Sequence, residues 1–416
     1  MTAQEKLALV NRTLARAGSS AFYRDRLPAE PLRSLDEFAA LPLMTKEDLR
    51  RASPFGLVCV ERRDLYQYHE SFGTTGTPVP AWYTREDVRE NAEALARLGV
   101  GFRPEDVVLV RFPYAISAIA HLIHAGAQLA GACVIPASSR TPVTPFRRVV
   151  ELLRKLEVTV MACLPLQGVL IAETAEMLGL MPERDFPALR AICTAGEPLP
   201  PGRRHLLEEI WGVPVFDNYG LTETGVLAMD CEYGRCHPRE ESFLFEVLSP
   251  DLTRPAAPGE VGKLVVTTLR REAMPLVRYL TGDRAALTEE DCACGRRLVL
   301  LMRGRAEHTV EAGGRIFDLW DLDAIASRLP SHRYWAVGPV SGGLRFVVED
   351  EGGGGAVIED PDLSAAFGIG IELETVPRGT LHDRAALLSV GEVGKPRYLY
   401  TAEEMERRLY ARVDRV

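Results

Sequence analysis

Residues 213–225 read VPVFDNYGLTETG. Val213 to Phe216 form a short β-rich run, and the turn behind it presents Tyr219, Thr222 and Glu223 together. These side chains suit a nucleotide. An aromatic ring covers a base, a hydroxyl binds a phosphate oxygen, and a carboxylate holds Mg2+. The competing reading makes Thr222 a helix cap, which leaves the aromatic and the acid without a purpose. A turn at the carboxyl end of a strand is where ligands bind in parallel α/β sheets.

Working outward, the same pattern recurs. DVVLVRF (106–112), CVIPA (133–137), VTVMACL (158–164) and ALRAICTAG (188–196) are β-rich. Amphipathic helices such as TPFRRVVELLRKLE (144–157) and PPGRRHLLEEIWG (200–212) lie between them. Alternating strands and helices predict parallel α/β sheets. Residues 1–66 read as helices, with starts at SLDEF (34–38) and TKEDL (45–49). Residues 226–304 change to a meander of strands: SFLFEVLSP, GEVGKLVVTTL, PLVRYLTGDRAAL and RLVLLMRG. A small α+β unit is expected from 305 to 416, with EDEGGGGA (349–356) as a hairpin tip or linker. The expected class is therefore α/β. A large amino-terminal domain of parallel sheets, residues 1–304, carries the β-meander or barrel subdomain near 226–304, and a smaller carboxyl-terminal domain follows.

The chain has 416 residues, 46% of them hydrophobic, enough for two or three cores. Its net charge of -9 and lack of a basic block argue against a nucleic-acid surface. The longest apolar run, AISAIAHLIHAGAQLAGACVIP (115–136), is interrupted by His121, His124 and Gln128 and reads as buried helix and strand, not as a membrane span. The amino terminus lacks the apolar core of a signal peptide, so a cytoplasmic protein with reduced thiols is expected.

Further pieces carry chemistry. SFGTTGTP (71–78) is a glycine- and threonine-rich turn that suits phosphate, yet it has no lysine and does not fit a P-loop ATPase. YLTGDR places Asp283 after a tight turn, where a carboxylate matches a ribose diol; TAGEPL (194–199) ends a strand. The cysteines cluster in CEYGRCHP (231–238) and CACG (292–295). Cys231, Cys236, His237, Cys292 and Cys294 are five soft ligands in two knuckles, one more than tetrahedral zinc takes. The alternative is cysteines packed as small hydrophobes.

Taken in order, SFGTTGTP, AGEP, DNYGLTE, TGD and the late GEVGKPRYL resemble the phenylacetate-CoA ligase-like family of adenylate-forming enzymes. AFYRDRL, SLDEFAALPLMTKEDLR and PFGLVCV resemble that family's amino-terminal helices. The resemblance implies that a carboxylate attacks the α-phosphate of ATP to give an acyl-adenylate and pyrophosphate. A thiol, usually that of coenzyme A, then displaces AMP. It implies catalytic roles for Lys395, Thr222 and Glu223, with Mg2+ at Glu223. It places ATP on Ser71, Thr74, Thr75, Gly76, Glu197, Pro198, Asn218, Tyr219, Thr222, Asp283 and Arg305. It places an aryl acid among Tyr114, Ala115, Ile116, Ile119, Ala195 and Gly220, a set that suits a flat apolar ring. It selects Cys231, His237, Cys292 and Cys294 for a structural zinc, with Cys236 as the alternate. It implies a mobile carboxyl-terminal domain hinged near Arg305 to Glu307.

Two departures stand out. The resemblance implies that Phe72 stands where the family commonly has serine or threonine, and Thr77 where it commonly has lysine. The acceptor is open: coenzyme A, a carrier protein's phosphopantetheine, or an amine. A non-catalytic adenylate-binding protein is the remoter alternative, and a homodimer is a further expectation.

Overall fold

Val107–Val110 pairs in parallel with both Cys133–Pro136 and Val160–Cys163. The structure, a computed structural model, describes residues 2–71, 77–305, 307–350, 357–388 and 397–411. Phe72, Thr74, Thr75, Gly76 and Lys395 lie outside the described residues, as does Ala306 of the expected hinge. By internal contacts the chain divides into two units. One comprises Met1–Pro136, Val160–Ala162 and Phe216–Met302; the other comprises Ala137–Thr159, Cys163–Val215 and Arg303–Val416.

In the first unit, helix Ala118–Leu129 links the parallel strands Val107–Val110 and Cys133–Pro136, the βαβ connection that the alternating pattern predicts. Helix Arg85–Arg97 lies beside it. A Cβ on Gly126 would stand 2.7 Å from that of Leu95, so this close approach requires glycine. Phe216 leads into an antiparallel run, Val215–Leu221 with Gly225–Asp230 and then Cys236–Pro238. The segment at Thr222 is thus a hairpin turn, and Thr222 caps no helix.

Four antiparallel strands form the expected meander: Phe243–Leu248, Gly262–Thr268, Tyr279–Glu289 and Leu298–Arg305. Sequence alone did not show what covers it. Ser34 caps helix Leu35–Ala39, and Thr45 caps Lys46–Ala52 in a full capping box with Asp48. These helices and the Met44 segment between them bury Phe38, Met44 and Leu49 in one core with Leu264, Val266 and Tyr279 of the meander and Leu276 just before it. A bridge seals the join: Met44 N–H donates to Arg278 O (3.0 Å), and Leu280 N–H donates to Met44 O (2.8 Å).

In the second unit, helix Pro165–Met177 is buried on nearly every side. Its Glu173, 1% exposed, accepts from the Tyr334 hydroxyl (3.0 Å) and pairs with Arg384 (3.0 Å), which neutralises an otherwise costly buried charge. A four-stranded sheet runs in the order Trp335–Val340, Gly343–Asp350, Gly370–Pro377, Val357–Glu359; only the middle pair is parallel. Asp318 caps helix Leu319–Ala326. The α-helix nearest the carboxyl terminus among the described residues is short. It spans Ala402–Glu406 and ends before Arg408, whose φ of 52° is left-handed. No described helix is long and apolar enough to cross a membrane.

Candidate active site

The glycine- and threonine-rich run joins two antiparallel strands, Leu65–Glu70 and Pro80–Thr84. This differs from a P-loop, which leads from strand to helix. Ser71 closes the connection: its N–H donates to Val79 O (3.0 Å), and its hydroxyl accepts from Val79 N–H (2.9 Å). At the far side, Arg50 Nε donates to Thr77 O at 2.8 Å. An arginine from the helix Lys46–Ala52 thus reaches position 77, where the family resemblance leads one to expect lysine.

The turn 219–223 is joined to the strand Tyr279–Glu289 twice, in opposite directions. Tyr219 donates its hydroxyl to Asp283 Oδ2 at 2.6 Å. Tyr279 donates its hydroxyl to Glu223 Oε1 at 2.5 Å. Both carboxylates are buried, Asp283 at 4% exposure and Glu223 at 3%. The second oxygen of Glu223 takes no hydrogen bond among the described residues, which leaves it to a cation; that fits the Mg2+ expected there. Tyr83 holds the turn from below, its hydroxyl donating to Thr222 O at 2.6 Å. Burial raises the Tyr83 hydroxyl above its usual range, so it stays a donor.

Backbone demands explain two glycines. A Cβ on Gly220 would fall 2.4 Å from Gly225 O, where a bulge shifts the register after Tyr219. Gly225 has φ 78°, and a Cβ there would strike Asn91 Oδ1 at 2.4 Å. Asn91 Oδ1 accepts from Val226 N–H at 2.9 Å and so fixes the exit of the turn. Asn218, beside Tyr219, is buried at 3% exposure.

The loop after Val107–Val110 brings up Tyr114. Its hydroxyl meets His124 Nδ1 at 3.0 Å, and its carbonyl meets His121 Nε2 at 2.9 Å. Ala115 and Ile116 are exposed and Ile119 is half-buried. Ile116 has φ 57°, a strained conformation for a β-branched residue. Its carbonyl accepts from Glu70 N–H at 3.0 Å, which ties this loop to the strand ahead of Ser71.

The remaining expected residues belong to the second unit. Ala195 is 2% exposed at the end of strand Ala191–Ala195. Glu197 Oε2 accepts from Leu166 N–H at 3.2 Å, an orphan donor in the first turn of helix Pro165–Met177. Pro198 is exposed, and Arg305 is half-buried at the end of its strand.

The sequence reading overlooked Tyr83, Asn91, Tyr279 and Lys46. Two left a trace, Lys46 inside the TKEDL helix start and Tyr279 at the head of YLTGDR. The Met44 bridge carries the Lys46 amino group to Gly282, where Nζ lies 3.2 Å from the position a Cβ would take.

The cysteine knuckles converge. Ligand atoms of Cys231, His237, Cys292 and Cys294 all lie within 4.8 Å of one another. Cys231 and Cys292 sulfurs are 3.7 Å apart, close to the edge of about 3.8 Å for two thiolates on tetrahedral zinc. His237 Nδ1 lies 2.7 Å from Leu298 O, and Nε2 lies 3.2 Å from Cys294 Sγ. A proton on Nδ1 donated to that carbonyl leaves Nε2 as the ligating atom. Cys236 stands outside this group, and all eight cysteines are free of disulfides.

Parallel strands and buried, tyrosine-held carboxylates beside a strand-end turn suit a nucleotide-binding enzyme. The family model described as AMP-binding enzyme matches residues 43–269, more than half of the chain, and the protein belongs to that family. It is similar to a phenylacetate-coenzyme A ligase of Thermus thermophilus, 36% identical over 287 residues, covering 66% of this chain and 63% of the relative. A phenylacetate-coenzyme A ligase of Pseudomonas putida is 32% identical over 265 residues, 62% of this chain and 59% of the relative. These matches span less than two thirds of the relatives' own lengths. A crystal structure of 2-hydroxyisobutyryl-CoA ligase with R3-HIB-AMP shares the fold at TM-score 0.85 and 22% identity, covering 98% of this chain and 91% of that one.

Proposed function

We propose that the protein activates an aromatic carboxylic acid with ATP and passes the acyl group to the thiol of coenzyme A. The observation that carries this reading is the double tyrosine–carboxylate tie between the 219–223 turn and the Tyr279–Asp283 segment. It holds two buried carboxylates apart for two tasks. Asp283, oriented by Tyr219, would accept ribose hydroxyls. Glu223, oriented by Tyr279, would give its open oxygen to Mg2+ beside the phosphates.

In the first half-reaction a carboxylate oxygen of the acid attacks the α-phosphorus, and pyrophosphate leaves. Charge gathers on the α-phosphate, and Thr222, the Glu223-held cation and Lys395 would offset it. Lys46, beside Gly282, adds a positive charge that the sequence reading did not include. In the second half-reaction the thiol sulfur attacks the acyl carbon, AMP leaves, and the thiol proton is released. A carrier protein's phosphopantetheine presents the same thiol and is the alternative acceptor. The resemblance keeps Glu197, Pro198 and Arg305 as adenylate-binding candidates, with the carboxyl-terminal domain as the moving part that brings Lys395.

The four converged ligands would hold a structural zinc, with no position open for water. Reduced thiols at this site suit a cytoplasmic protein.

Pyrophosphate exchange with Mg-ATP and a panel of aryl acids tests this reading. Exchange with at least one acid, and CoA-dependent AMP release with the same acid, are expected. No exchange with any acid would overturn it.

A further inference from the structure

Arg278, directly before Tyr279, has φ 45°, a left-handed conformation that costs most residues other than glycine. Its surroundings hold it there. Three successive N–H groups donate to side-chain hydroxyls from elsewhere in the chain. Leu276 N–H donates to Thr268 Oγ1 (2.9 Å), Val277 N–H to the Tyr23 hydroxyl (3.0 Å), and Arg278 N–H to Thr267 Oγ1 (2.8 Å). The Arg278 carbonyl accepts from Met44 N–H at 3.0 Å, and the Tyr23 hydroxyl donates to Met44 Sδ at 2.8 Å. Side chains thus fix a stretch of backbone that a regular ladder would otherwise fix.

The Arg278 side chain is buried and as firmly placed. Nη2 and Nε donate to the two oxygens of Glu246, at 2.9 and 3.2 Å. Nη1 donates to Leu41 O at 2.5 Å and to Ala39 O. Ala39 ends the helix Leu35–Ala39, whose last carbonyls have no partner within the helix. A planar guanidinium serves a carboxylate and two carbonyls at once. A lysine amine cannot reproduce that fork.

A strained residue held by this many bonds points to a place where position matters. Its neighbours show what it positions. Forward along the chain stands Tyr279, buried, which donates to Glu223. Sideways, the Arg278 carbonyl anchors Met44, and Lys46, two residues on, opens the helix that brings Nζ to Gly282. One residue therefore joins the phenol that orients a carboxylate to the amino group at the TGD turn.

Resting on the reading above, we propose that Arg278 is a positioning residue for Mg-ATP. It sets Tyr279, and through it Glu223 and its cation, in register with Lys46. Its own guanidinium is spent on Glu246 and the two carbonyls, so it acts only through those groups.

The test titrates ATP and Mg2+ onto the full chain by calorimetry, in wild type, Arg278→Gly and Arg278→Lys. Glycine adopts the left-handed backbone freely, so Arg278→Gly removes the fork without adding strain. The Kd for Mg-ATP should rise. The Mg2+ concentration for half-maximal binding should rise roughly tenfold, the loss typical when support behind a metal ligand is removed. Arg278→Lys keeps a charge for Glu246 and should fall between the two. Leu153→Ala, in helix Phe146–Lys155 of the second unit, should lower the thermal midpoint with both constants unchanged. Added to Tyr279→Phe, Arg278→Gly should move the Mg2+ dependence little further, because both act through Glu223. If Arg278→Gly does not fold, Arg278→Lys is judged by the same two constants. Wild-type constants in the Arg278 variants, or a full additional Mg2+ shift in the double variant, would overturn the inference and leave the ligase reading standing. A wild type that binds no Mg-ATP would overturn both.

Discussion

Tyr219 donates to Asp283 across 2.6 Å, and Tyr279, four residues before Asp283, donates in the opposite direction to Glu223. The two bonds lock a turn to a strand of another sheet. Each phenol orients a buried carboxylate that has little water to orient it.

Tyr279→Phe should therefore harm catalysis more than its size suggests. It leaves Glu223 buried without its donor, a cost of about 1–3 kcal/mol. Pyrophosphate exchange is expected to fall about tenfold, with half-maximal rate moved to higher Mg2+. An unchanged Mg2+ dependence would count against Glu223 as the metal ligand.

Lys46→Ala removes the amino group beside Gly282. The KM for ATP should rise roughly tenfold, as expected for a lost charge near phosphate. Steady-state kinetics against ATP at fixed acid checks this. Thr77→Lys, which restores the family residue, should lower the KM for ATP; an increase would show that Arg50 already fills that place through Thr77 O.

Metal analysis should find about one zinc per chain. Cys292→Ser should lose it and lower the thermal midpoint, because the site joins Cys231 and His237 to a knuckle some 60 residues on. Cys236→Ser should keep both the metal and the midpoint. Loss of zinc in Cys236→Ser alone would reverse the ligand assignment.

Stability should fall as pH drops from about 6.5 to about 4. His69 and His382 are buried and held down at about 4, below the usual 6.5, chiefly by burial. Between those values the unfolded chain binds protons that the folded chain does not, so acid favours unfolding. Above about 6.5 both states are neutral and this contribution is complete. Urea melts from pH 4 to 8 measure it, and His382→Phe should flatten the slope.

Much was legible because it depends on local chemistry. Ser34 and Thr45 cap the helices that SLDEF and TKEDL announced. The apolar run VVLV lies between two parallel neighbours, as a strand buried on both faces should. The knuckles CEYGRCHP and CACG announced, by residue type and short spacing, the cysteines and histidine of which four converge in the structure.

The residues that support the site were not legible, because each acts across a long stretch of chain. Tyr83 reaches Thr222 over 139 positions, and Asn91 reaches Val226 over 135. Neither has a local signature: one reads as a strand residue and the other as a helix residue. The helix at Lys46 gave no sign that the Met44 bridge would carry its amino group to Gly282.

The sequence by itself determined the elements, the family and the residue types available for chemistry, since propensity, capping and motif order are properties of neighbours along the chain. Tertiary structure alone decided which carboxylate is held by which phenol and which cation stands at the TGD turn. Those are distances between segments far apart in sequence, set by how sheets and helices pack.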